Sequence, residues 1–130
     1  MKVVIFGSRR IEDMEEVEKA MTDSGIFPKV TEIVSGCAKG VDASAILYAE
    51  KHNLPVKLFP ANWDGHGRQA GFRRNAEMAA YADFGVAVWD GRSRGTAHMI
   101  GLMEGRVFVR RLDIVGPAGR TEIGPFSGEE

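Results

Sequence analysis

The chain has 130 residues, enough for one domain with its own core and too few to require a second. Seventeen basic residues against 18 acidic give a formal charge of −1, which excludes a chain-wide nucleic-acid surface and confines any cationic function to local loops. A lone cysteine, Cys37, excludes an intramolecular disulfide; with neither a charged-then-apolar leader nor an apolar run of membrane length, the expectation is a cytoplasmic protein with no membrane partner.

The first strand is Val3-Val4-Ile5-Phe6, a β-rich apolar run suited to a central position, and Gly7-Ser8-Arg9-Arg10 is its exit loop. From Asp13, the apolar positions Met14, Val17, Ala20 and Met21 recur at helical spacing, and Ser24-Gly25 with Pro28 ends the helix. Val30 to Val34 forms a second strand running into the glycine-rich turn Ser35-Gly36-Cys37-Ala38-Lys39-Gly40-Val41-Asp42. A helix from Asp42 to His52 and a strand from Val56 to Phe59 follow. Pro60 to Gly71 has no clear periodicity, and a loop that long in so small a domain reads as a binding segment or lid. A third helix starts at Phe72 or Arg73 and includes Asn75, Met78, Ala79 and Ala82. The strand Phe84 to Trp89 then stops at Asp90, and a fourth helix, Thr96 to Glu104 with Thr96 near its N-cap, follows the turn Gly91-Arg92-Ser93-Arg94-Gly95. Arg106 to Leu112 reads as a last strand at the sheet edge with one charged face, and residues 113–130 as a tail that is flexible or packs on a partner.

Strands alternating with helices imply a Rossmann-like three-layer α/β/α sandwich over residues 1–112, with a mainly parallel five-stranded sheet. Ligands of such sheets bind beyond the carboxyl ends of the strands, where every unusual loop of this chain falls. The loops at Gly7, Gly36, Trp63 and Gly91 are therefore expected to converge on one rim.

The turn after the fourth strand has the character of an anion site. A helix start presents unpaired N–H groups, the glycines Gly91 and Gly95 allow close approach, and Ser93 and Thr96 add donors. In the earlier turn, Ser35, Gly36, Lys39 and Gly40 could hold a phosphate or sugar, while Asp42 either caps its helix or accepts from a ribose hydroxyl. Ser8 and Arg9 leave the central strand toward the same rim. Arg73 and Asn75 open the third helix, where an arginine is unfavourable without an anion. Trp63 either stacks on a base or packs as part of a lid. Asp90 is a weak candidate for a catalytic acid and equally suits a turn-initiating role. His98, two residues past Thr96, could reach the rim; His52 and His66 lack metal-site spacing, and neither GxxxxGK[ST] nor GxGxxG is present, so no metal or cofactor is expected.

The order and spacing of Ser35-Gly36-Cys37-Ala38-Lys39-Gly40-Val41-Asp42, Phe59-Pro60-Ala61-Asn62-Trp63, Ala70-Gly71-Phe72-Arg73-Arg74-Asn75 and Asp90 to Thr96 resemble the YspA-like branch of the SLOG superfamily, over Met1 to about Val109. The superfamily includes the Lonely Guy cytokinin-activating enzymes and the DNA-processing Smf/DprA proteins, and the resemblance implies a Rossmann-like pocket for a nucleotide or nucleotide-derived ligand. It has two departures. Cys37 stands where the family usually has a second glycine, and Met99 stands three residues past Thr96, where the Lonely Guy enzymes have their catalytic Glu. Asp90, Asp42 and Asp64 are the rim acids that could substitute.

The resemblance, with the anion-site character of the turns, implies binding of a nucleotide or nucleotide-derived phosphorylated ligand, as a sensor or carrier module. The alternative is a hydrolase or transferase acting on nucleoside monophosphates by phosphoribohydrolase-like chemistry, so whether the protein is an enzyme is left open. Near-neutral charge and few aromatic residues weigh against nucleic acid as partner. The Ala- and Met-rich helices from Phe72 to Ala82 and Thr96 to Met103 suggest a homodimer.

Overall fold

The computed structural model describes residues 1–62, 65, 67–115 and 119–126. Its elements are β1 (Lys2–Gly7), α1 (Met14–Ser24), β2 (Glu32–Ser35), α2 (Val41–Lys51), β3 (Val56–Leu58), α3 (Ala70–Tyr81), β4 (Phe84–Trp89), α4 (Arg94–Leu102), β5 (Val107–Val115) and β6 (Gly119–Phe126). The sheet order is β3-β2-β1-β4-β5-β6. The first five strands in that order are parallel and β6 is antiparallel to β5. This is the Rossmann-like α/β sandwich, and the strand order reverses between β1 and β4, where such folds open a crevice.

Strand alternation builds the two sides of the core. Val3 and Ile5 of β1 pack with α1 and α2 in a cluster that includes Val17, Met21, Ala45 and Tyr48. Val4 and Phe6 point the other way, into a cluster with Met78, Met99 and Met103 from α3 and α4. Each helix therefore covers one face because its apolar stripe has a matching row of β1 and β4 side chains beneath it.

The last part of the chain differs from the sequence reading. The strand expected to end at Leu112 runs to Val115, and Gly119–Phe126 adds a sixth strand beside it, so β5 is not an edge. Arg110, expected on a charged edge face, is buried and donates to Glu16 (3.0 Å) and Asp23 (3.2 Å) of α1. The sheet is tied to α1 through that guanidinium. Arg106 donates to the Ala79 and Ala82 carbonyls (2.7 Å each), satisfying acceptors at the C-terminus of α3.

Candidate functional site

Three helices begin at the crevice between β1 and β4. α2 starts after Gly40, which has φ +77 and no side-chain cap; a Cβ there would lie 2.4 Å from the Ser8 carbonyl oxygen, so only glycine brings this turn against the β1 exit loop. α3 starts after Gln69 with no side-chain cap and no acid in its first turn. α4 is capped by Ser93, whose hydroxyl accepts from the Thr96 N–H at 3.3 Å. The cap is thus three residues earlier than expected at Thr96, and Thr96 is the residue that donates to it.

Between the starts of α3 and α4 lies a cavity of about 330 Å³. Its floor is Phe6, Met78 and Met99, and its polar lining is Arg9, Asp42, Arg74, Asn75, Ser93 and Thr96, with Gly7, Gly71 and Gly95 contributing backbone. Phe72 and Ala38 complete the lining. An apolar floor with a few converging polar groups is the ordinary form of a small-molecule site.

Arg74 and Asp42 dominate the electrostatics. The Arg74 guanidinium donates to the Gly36 carbonyl and, through Nε at 3.1 Å, to Asn75 Oδ1, neither of which neutralises it. Gly36 makes this possible: a Cβ there would stand 2.7 Å from Arg74 Nη1 and 2.8 Å from Asp42 Oδ2. Asp42 is 4% exposed, and its carboxylate accepts from the Ala38 N–H at 3.4 Å. Burial pushes the Asp42 carboxyl up to about 6, against the opposing pull of Arg74, the Ala38 and Gly7 N–H groups and Arg9. Asp42 is not the helix cap, a position held by Gly40.

Several expected contacts are used in building the rim. Ser35 donates to the Asp42 carbonyl (2.8 Å) and accepts from the Cys37 N–H (3.2 Å). Ser8 accepts from the Asp90 N–H (2.9 Å), and Asp90 Oδ1 accepts from the Arg92 and Ser93 N–H groups at 2.8 and 2.9 Å. Although burial acts to raise it, these N–H donors, with Ser8 and Arg10, hold the Asp90 carboxyl below the usual carboxylate range. Asp90 therefore builds this turn and is not among the residues that line the cavity. Trp89 Nε1 donates to the Ser93 carbonyl (3.1 Å) and closes the same turn.

Of the sequence candidates, Gly7, Arg9, Asp42, Asn75, Ser93, Gly95 and Thr96 line the cavity. Ser8, Ser35, Gly36, Gly40, Asp90 and Gly91 frame it without lining it, and Lys39 and Arg73 are exposed away from the lining. Trp63 and Asp64 lie outside the described residues. Arg74, rather than Arg73, is the inward arginine because Gly71, Arg74, Asn75 and Met78 share one stripe at helical spacing of three and four. That spacing was the available signal. Phe6, Ala38, Phe72 and Met99 complete the set that the expected site omitted.

Cys37 has φ +66, the left-handed region that favours glycine and costs other residues about 1–2 kcal/mol. Its thiol is pushed up by desolvation, the direction opposite to an activated nucleophile. Among the described residues no cluster of His, Cys, Asp and Glu could hold a metal, and no helix is long and apolar enough to cross a membrane.

The family described as YAcAr (YspA, cpYpsA-related SLOG family) matches residues 1–66. The Gene 61 protein of Mycobacterium phage D29 is 38% identical over 104 residues, covering 75% of this chain and 83% of that protein. Among solved structures, phosphoribosylglycinamide formyltransferase from Bacillus halodurans aligns with TM-score 0.48 and 18% identity over 91% of this chain and 59% of that one. The Brucella melitensis enzyme of the same name aligns with TM-score 0.49 and 16% identity over 90% and 59%. The chain thus spans about three fifths of the length of these structures, which bear on neither ligand nor reaction.

Proposed function

Because the chain belongs to the YspA, cpYpsA-related SLOG family, we propose that it binds a nucleotide or nucleotide-derived phosphorylated ligand in the cavity between α3 and α4, as a sensor or carrier module of the cytoplasm. The observation that carries this reading is Arg74, a guanidinium on the cavity lining whose hydrogen-bond acceptors are uncharged and whose neighbouring carboxyl, Asp42, is shifted toward neutrality. Helix N-termini and an arginine fork are complementary to a phosphate dianion. A homodimer stays part of the proposal on narrower grounds, since Met78, Met99 and Met103 are buried in the core. Phe72 of α3 and Leu102 of α4 are the exposed large apolar residues of these two helices.

One observation favours a second reading, a hydrolase or transferase acting on nucleoside monophosphates. Asp42 is a buried carboxyl on the cavity lining, shifted toward neutrality, and such a group can exchange a proton with a bound sugar or base. The residue aligned with the Lonely Guy acid is Met99, however, and it contributes only apolar floor.

A thermal-shift and calorimetric panel of AMP, GMP, CMP, UMP, modified-base monophosphates and their nucleosides tests both readings, with free base assayed by chromatography in the same mixtures. The expected result is saturable binding of at least one monophosphate and no free base. Turnover abolished by Asp42→Asn would replace the carrier reading with the enzymatic one. Absence of binding by every member would reject both.

A further inference from the structure

Phe72 stands in the first turn of α3, lines the cavity and keeps 47% of its surface exposed, whereas the floor residues Phe6, Met78 and Met99 are buried. Its ring is held from behind. His98 of α4 packs against it with ring centroids 4.6 Å apart at 57°. The Asn75 amide nitrogen lies 3.2 Å from His98 Nδ1 and donates to the Gly95 carbonyl at 3.1 Å, so the position of the imidazole is set by the same contacts that join α3 to α4. A wet aromatic ring braced in this way contributes little to the core.

Its neighbours define what it could meet. Arg74 and Arg9 supply positive charge on the same lining, and the N-termini of α3 and α4 supply N–H donors. A flat apolar surface beside an anion site matches a ligand in which a planar ring is joined to a phosphate; a sugar phosphate has nothing to lay on the ring. Building on the phosphorylated-ligand reading above, we propose that Phe72 is the stacking platform for a nucleobase, which makes the ligand a base-bearing nucleotide and Phe72 a specificity-determining residue. Asn75 and His98 then act as positioning residues for it.

The test is parallel calorimetric titration of wild type, Phe72→Ala and Phe72→Trp with AMP, GMP, CMP, UMP and ribose 5-phosphate. Wild type is expected to bind its best nucleotide at least about tenfold tighter than ribose 5-phosphate. Phe72→Ala should lose about tenfold toward that nucleotide and leave ribose 5-phosphate unchanged, and Phe72→Trp should retain nucleotide affinity. Equal affinity of wild type for ribose 5-phosphate and nucleotides, or equal loss of both in Phe72→Ala, overturns the platform while leaving the phosphate site standing. Ribose 5-phosphate binding without nucleotide binding does the same. Failure of all five probes to bind rejects the phosphorylated-ligand reading itself, and the platform with it. Melting temperatures unchanged among the three proteins establish that the comparison reads binding, as the exposure of the ring predicts.

Discussion

Arg74→Ala is expected to weaken binding of the preferred nucleoside monophosphate by roughly 10- to 150-fold while changing affinity for the corresponding nucleoside little. The range corresponds to loss of a charge-assisted hydrogen bond of about 1.5–3 kcal/mol in a partly desolvated site. Arg74 is held for that purpose by two neutral acceptors, the Gly36 carbonyl and Asn75 Oδ1, which orient the guanidinium without neutralising it. Arg73→Ala is the matched control. It removes the same charge from the same helix turn, but from an exposed position off the cavity lining, so its effect on both ligands should be small. Calorimetry on the three proteins separates the cases: equal losses for nucleotide and nucleoside in Arg74→Ala would make Arg74 a structural residue. A loss in Arg73→Ala as large as in Arg74→Ala would mean that long-range charge, not contact, governs binding.

Asp42→Asn is expected to stabilise the folded protein by about 2–3 kcal/mol above pH 6 and to leave it unchanged at pH 4 or below. The sign follows from the direction of the shift. Burial raises the Asp42 carboxyl from 3.8 to about 6 in the folded state, so the native protein holds this proton more tightly than the unfolded chain does. Stability contributed by the proton is complete below about pH 4 and is lost as pH rises through 6, because the charged carboxylate is then confined in a poorly hydrated place. Asparagine keeps an acceptor for the Ala38 N–H and cannot ionise, so it removes the loss. Urea unfolding of both proteins at pH 4, 5, 6 and 8 reads the difference directly. A destabilised Asn variant at pH 8 would show that attraction between Asp42 and Arg74 outweighs burial. An ionisable group that lowers stability while lining a cavity is the arrangement expected where function, not folding, sets the residue.

The pattern of elements was largely legible along the chain because strand and helix periods are local. Phe84–Trp89 is β4 as expected from its apolar run, and the residues after β1, β2 and β4 meet at one rim because parallel strands send all their exit loops the same way. The N-terminus of α4 was read late, since both Ser93 and Thr96 are capping residue types and the choice depends on the turn closed by Asp90 and Trp89. β6 was hidden for a different reason. Gly119, Gly124 and Pro125 have poor strand propensity, and their pairing with β5 comes from the neighbouring strand, which no local pattern reveals.

Site residues were legible to the level of the loop but not always to the side chain. Adjacent residues on a helix point about 100° apart; the stripe of Asn75 and Met78 was read in its observed phase, and extending it back one turn selects Arg74, not Arg73. Phe72 was read as the start of a helix, and its place at the cavity mouth depends on the approach of α4. The burial of Asp42 arises where β1, the Gly36 turn and α3 close around it, a long-range event. Asp90 shows the converse: its place at a strand end suggested chemistry, while local N–H groups had already engaged it.

The proposed ligand's phosphate enters the cavity where α3 and α4 begin. Heteronuclear NMR titration of ¹⁵N-labelled protein with the tightest-binding nucleoside monophosphate tests this placement most directly. Saturable shifts are expected in the amides of Gly7, Gly71 to Asn75 and Ser93 to Thr96, with those of β3 unmoved. Saturable shifts confined to β3 or to the outer face of α2, with these amides silent, would contradict it.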